Sequence, residues 1–171
     1  EREPENKDPG ETYRLSDVDL ASRLSFFLWG MPPDAELLEI AAEGKLSNKE
    51  LERQSQRMLA DPRSEALGTR FAGLWLRLQD LYKVRPDPNF YPNFDENLAD
   101  AMRRETELFF YDLVREDKSF LELFSADYTF VNERLARHYG IPGVSGNHFR
   151  RVDYLEDQRR GLLGQGSVLV L

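Results

Sequence analysis

The sequence predicts an all-α fold, an irregular helical bundle with long loops and at most a minor β element near the C-terminus. Three observations carry this. Apolar residues recur at spacings of three and four along most of the chain. Ser, Asp or Asn precedes those runs, and Gly or Pro follows them. Only the stretch 147–154 alternates weakly, in the manner of a strand.

The elements follow in order. Ser16 stands before Leu20, Ala21, Leu24, Phe27 and Leu28, an amphipathic stripe that Gly30 and Pro32-Pro33 end. Asp34 caps a second helix with Leu37, Leu38, Ala41 and Ala42 on one face. Gly44 supplies the left-handed residue that closes it, and Leu46 the accompanying apolar contact. Ser47-Asn48-Lys49-Glu50 reads as a capping box, opening a helix that carries Leu51, Met58 and Leu59 and stops near Asp61-Pro62.

Pro62 suits the first turn of a longer helix, where its missing N–H is harmless. The stripe that follows, Leu67, Phe71, Leu74, Trp75, Leu78 and Leu81, is the strongest in the chain. It is expected at the centre of the core, with the bundle's apolar sides meeting around Trp75. Gly68 and Gly73 each cost about 1 kcal/mol relative to Ala in a helix interior. Their presence points to close helix–helix approach, with a kink as the alternative.

Pro86, Pro88 and Pro92, with Asn89 and Asn93, make 84–93 an irregular connection. Phe90, Tyr91 and Phe94 are expected to pin it to the core, with an interaction surface as the alternative. Asp95 opens a long helix through Leu98, Met102, Phe109 and Leu113, ending near Glu116-Asp117. Ser119 starts a short helical turn with Phe120, Leu121, Leu123 and Phe124. Thr129 or Asn132 caps another helix through Leu135, which Gly140 and Pro142 terminate. A final helix begins near Asp157.

The ends differ from each other. Residues 1–10 hold no apolar side chain and read as solvated linker, without the apolar centre of a signal peptide. Residues 161–171 grow more apolar toward Leu171, as expected of a piece cut from a longer chain; a final strand or helix tucked into the core is the alternative.

Composition excludes several chemistries. Among 171 residues there is no cysteine, so disulfides, zinc–thiolate sites, iron–sulfur ligation, a cysteine nucleophile and covalent c-type haem are excluded within the chain. The net charge of −8, from 23 basic and 31 acidic residues, argues against a generic nucleic-acid or anionic-membrane binder. No apolar run reaches the roughly 20 residues of a membrane span. His138 and His148 are the only histidines and lack metal-ligand spacing. His138, one turn beyond Leu135, reads as a partly buried, hydrogen-bonded residue, and His148 as solvated. There is no nucleophile elbow, and Gly161–Gly166 lacks the strand that a phosphate-binding loop requires.

Glu105 stands out, three residues after Met102 and four before Phe109, on the apolar stripe of its helix. A carboxylate there needs a cation or backbone donors, and its pKa is displaced. An ion pair with Arg70, Arg77 or Arg150 is the expected arrangement. Arg150, Arg151, Arg159 and Arg160 form a local basic cluster expected to answer acidic helices. No catalytic, cofactor-binding or metal-binding residue is assigned.

Several segments together resemble one family. They are Leu20-Ala21-Ser22-Arg23-Leu24-Ser25-Phe26-Phe27-Leu28-Trp29 with Pro33–Leu38, Arg57-Met58-Leu59-Ala60-Asp61-Pro62-Arg63, Phe71–Leu76, Ala101–Thr106 and Ala126–Pro142. They resemble the planctomycete-type domain of unknown function family 1592. From about Phe149, through Arg159-Arg160-Gly161-Leu162-Leu163-Gly164-Gln165, the chain resembles the start of domain of unknown function family 1588. The resemblance implies a linker over 1–12, a helical domain over 13–145 and the start of a second domain over 146–171. It also implies a large exported, periplasmic or cell-surface bacterial protein, with c-type haem in a downstream module and neighbouring domains as partners. Surface or carbohydrate partners accompany that picture. On it the chain is a non-catalytic scaffold or interaction module. The alternative is an enzyme domain acting on polysaccharide-derived or other organic substrates, with Glu105, Asp127 and His138 lining a cleft.

Overall fold

A computed structural model describes residues 12–154 and 159–171, mostly helical with one two-stranded sheet among the described residues. The expected linker lies outside them apart from residue 12, as does the helix start expected near Asp157. The chain divides into two compact units at Ser64 and Glu65.

The first unit holds α1 (Asp17–Leu28), α2 (Ala35–Ala42) and α3 (Asn48–Ala60). Each start is fixed by its cap: the side chains of Ser16, Asp34 and Ser47 accept from the N–H of Asp19, Leu37 and Glu50. The capping box is only half formed, because the Glu50 carboxylate accepts from Arg53 and Gln54. Gly44, at φ +67°, closes α2, and Leu46 beyond it is fully buried. Trp29 is buried too. Its Nε1–H donates to the Met58 carbonyl at 2.9 Å, and the Arg63 guanidinium lies 3.5 Å from the ring centre. Arg57 forks onto Asp34 at 2.8 and 3.0 Å, tying α3 to the start of α2.

In the second unit the strongest predicted stripe breaks up. Pro62 opens only a 3₁₀ turn (Pro62–Glu65). A π-helix (Leu67–Ala72), the single turn α4 (Gly73–Trp75) and a 3₁₀ helix (Leu78–Lys83) follow, with Arg77 left-handed at φ 56°. Widening the turn from i+4 to i+5 rotates the stripe away from one face. Leu67, Leu78 and Leu81 stay buried, whereas Phe71, Leu74 and Trp75 are 43%, 70% and 50% exposed. The core therefore does not centre on Trp75. It is built on α5 (Glu96–Arg115), whose Leu98, Met102 and Phe109 are buried along with Leu123, Val131 and Leu135. At Gly68 a Cβ would meet the Glu107 carbonyl oxygen at 2.5 Å, so close approach accounts for that glycine.

Asp95 caps α5 as predicted, accepting from the Leu98 N–H at 2.7 Å. Beyond it come α6 (Glu122–Ser125), β1 (Tyr128–Val131), α7 (Glu133–Tyr139), β2 (Arg150–Asp153), a 3₁₀ turn (Leu162–Gly164) and α8 (Gly166–Val170). β2 lies inside the predicted strand. Its antiparallel partner β1 is not anticipated by the sequence reading, which offers Thr129 as a helix cap. Thr129 instead pairs with Val152 in the sheet, and Asn132 is the cap, accepting from the Leu135 N–H at 3.0 Å. Phe90 and Tyr91 are exposed and do not pin their loop, whereas Phe94 packs against the core.

Candidate functional site

The inward face of α5 places Glu105 and Thr106 side by side in the second unit's core, both fully buried. Glu105 is held from two elements. Its Oε1 accepts from Thr129 Oγ1 of β1 at 2.6 Å, and its Oε2 accepts from the Tyr139 hydroxyl of α7 at 2.6 Å. The Tyr139 oxygen accepts in turn from the Gly166 N–H at 2.7 Å. Thr106 gives its proton to Gln165 Oε1 at 2.7 Å, which leaves its oxygen to accept from Ser167 Oγ at 2.5 Å. One face of α5 thus gathers β1, α7 and the start of α8.

Burial is the largest influence on Glu105 and pushes its carboxyl up to about 7, against the opposing pull of Thr129, Tyr139 and Arg159. Burial and the adjacent carboxyl also raise the Tyr139 phenol. Tyr154 is pushed up to about 12, again chiefly by burial and the Glu105 carboxyl, against the opposing pull of Thr129 and Arg159.

The cation beside Glu105 is Arg159, not one of the three arginines expected there. Its guanidinium lies 4.3 Å from the Tyr139 ring centre and donates to the Gly164 carbonyl at 3.1 Å. Arg77 pairs with Asp80, Arg150 donates to the Ser145 carbonyl, and Arg70 is exposed. Of the basic cluster, Arg151 covers the Tyr128 ring, and Arg159 covers the Tyr139 ring while acting on Glu105 of α5.

Beside this network lies a hollow of about 600 Å³. Leu98 and Met102 of α5 line it, with Phe90, Tyr91 and Phe94 of the proline-rich loop and Leu169 and Val170 of α8. His138 also lines it, exposed rather than partly buried, and held below its ordinary value by partial desolvation and by Arg159 and Arg134. Its size and apolar lining suit a small-molecule or side-chain binding site. The trio Glu105, Asp127 and His138 does not line one cleft. Glu105 is sealed, and neither it nor exposed Asp127 lines the hollow. Among the described residues no group of three or more His, Asp or Glu is arranged to hold a metal ion. No helix among them is long and apolar enough to cross a membrane.

The family model for a protein of unknown function, DUF1592 (PSD4), matches residues 15–141, from just before α1 to just beyond α7. The chain belongs to the DUF1592 family. Glu105, Thr106, Thr129 and Tyr139 fall within the matched residues, whereas Arg159, Gln165 and Ser167 lie past them. The buried network therefore stitches the DUF1592 region to the residues that follow it. No curated protein and no solved structure matches the chain.

Sequence reasoning found Glu105 but missed its partners. Tyr139 was within reach of it, four residues after Leu135 and so on the same buried face of α7. Thr129 and Gln165 carried no local signal, because their roles depend on contacts 24 and 59 residues away.

Proposed function

We propose that this chain is a non-catalytic helical module of a larger exported bacterial protein that carries c-type haem, docking beside its neighbouring domains. The observation supporting this reading is how the polar groups of the second unit are used. Both oxygens of Glu105 accept from neighbouring hydroxyls, and the adjacent hollow is walled mainly by apolar side chains with one imidazole at its edge. Such a surface suits packing against a partner better than acid–base chemistry, which needs a group that reaches its substrate.

Covalent c-type attachment requires thiols, and the chain has no cysteine, so haem belongs to a neighbouring module in this reading. The resemblance of 149–171 to family 1588 supports that arrangement and, with it, a periplasmic or cell-surface location. The exposed Phe90 and Tyr91 are the side chains through which a neighbouring domain, or a surface or carbohydrate partner, would be met. The test is hydrogen exchange on the full-length protein and on this region alone. Slower exchange around Phe90–Phe94 in the full-length protein is expected. Identical exchange in both, with no surface buried between the domains, refutes the scaffold role.

One observation favours a catalytic reading: a carboxyl poised at about 7 has the protonation behaviour of a general acid. That reading requires Glu105→Gln to abolish turnover of an organic substrate while leaving the fold intact.

A further inference from the structure

We propose that the hollow walled by the proline-rich loop is a binding site for a small aromatic carboxylate. Arg85 receives the carboxylate, and the rings of Phe90, Tyr91 and Phe94 receive the apolar body. The site goes beyond the docking role and stands whether or not a neighbouring domain is met.

Charge at the wall selects the sign of the ligand. The chain carries a net charge of −8, yet no carboxylate lines the hollow among the described residues. The acids nearest to it along the loop are engaged elsewhere. Asp87 accepts from the Asn89 N–H at 2.8 Å, and Asp95 pairs with Arg134 at 3.3 Å. Arg85 lines the hollow and forms no ion pair among the described residues. Its Nη1 donates to the Tyr82 and Val84 carbonyls at 2.6 and 3.0 Å, which steadies the guanidinium. Nε and Nη2 have no hydrogen-bond partner among the described residues. They form the side-on edge of the guanidinium, the edge that meets a carboxylate through two parallel bonds.

Shape and lining select the body. The volume of about 600 Å³ lies within the roughly 300–1,000 Å³ of small-molecule sites. Phe90, Tyr91 and Phe94 offer flat faces on which an aromatic ring stacks, and buried Leu98 and Met102 add apolar contact. His138 is held below its ordinary value by partial desolvation, then by Arg159 and Arg134, so at neutral pH it adds a ring without a charge. Little order has to be supplied on binding. Pro86 and Pro92 fix φ near the two ends of the loop, and the Phe90 and Tyr91 N–H groups both donate to the Asp87 carbonyl, at 3.1 and 2.9 Å.

The test is an amide NMR titration of the whole chain with naphthoate, and with naphthamide as a neutral body of the same shape. Naphthoate is expected to shift the amides of Phe90, Tyr91, Phe94, His138 and Leu169 and to leave those of α3 in place. Naphthamide should bind about tenfold more weakly, the size of one charge-assisted hydrogen bond. Arg85→Gln, at an exposed position, should erase that preference. Leu169→Trp fills the hollow from another exposed position and should abolish binding of both probes. Wild-type positions of the α3 and α5 amides establish that each variant is folded. No shift with millimolar naphthoate, shifts confined to other residues, or equal affinity for the two probes overturns the site. So does a preference for naphthoate that survives Arg85→Gln, or binding that survives Leu169→Trp.

Discussion

Both units carry partly exposed ion pairs, but the second also seals a carboxyl in its core. In the first, guanidinium–carboxylate pairs sit half in solvent: Arg57 on Asp34, Arg63 on Asp61, and Arg53 on Glu36 and Glu50. In the second, a carboxyl is shut in the core and met by hydroxyls. The chemistry of the partner decides the sign of the pH response. Arg57 holds Asp34 below the usual carboxylate range, and Arg63 holds Asp61 at about 2. Their stabilising effect is present above the ordinary value of 3.8 and is lost as pH falls through the lowered one. Glu105 is raised, so its contribution runs the other way.

The largest blow to this contrast is Glu105→Ala. It strips the acceptor from two buried hydroxyls at once and opens a void. A loss of about 4 kcal/mol is expected in urea unfolding, each orphaned hydroxyl costing about 1–3 kcal/mol. A loss below about 1 kcal/mol would mean that the network contributes little. Next in size is the pH dependence itself. As pH rises from 4.5 to about 7, the wild-type protein should lose on the order of 3 kcal/mol through this group, a loss Glu105→Gln escapes. Urea titrations across that range in both proteins measure the difference.

A third experiment turns on the two tryptophans, one in each unit. Trp29→Ala removes a buried ring and its bond to Met58 and should cost about 3 kcal/mol. Trp75→Ala removes a half-exposed ring stacked on Phe71 and should cost about 1 kcal/mol. Equal losses would restore Trp75 to the core position its stripe suggests. The smallest effect belongs to Arg57→Ala, about 0.5 kcal/mol in low salt and less at about 0.5 M salt, where partly exposed pairs are screened. An effect indifferent to salt would place that pair with the dry network of the second unit.

Much of the helical order was legible because caps are local. Ser16, Asp34, Ser47, Asp95 and Asn132 each bond an N–H three residues on, a relation contained in four residues of sequence. The π-helix was not legible, since its apolar spacing matches that of an ordinary helix and only the packing of Gly68 against α5 marks the departure. β1 was hidden for a related reason: four residues pair with a strand some twenty positions later, and neither alternates cleanly. At the candidate site, the position of Glu105 on a stripe announced a buried carboxyl. Its partners come from distant segments, so periodicity alone pointed to arginines when hydroxyls were the answer.

The long reach of those partners bears on how the second unit assembles. α5 can coil early from its own neighbours, but its buried bonds wait for residues 24, 34, 59 and 61 positions away. Each such closure costs chain entropy before any contact rewards it. The rate-limiting event in refolding should be the arrival of these remote segments on α5, with Glu105 still hydrated until they seal it.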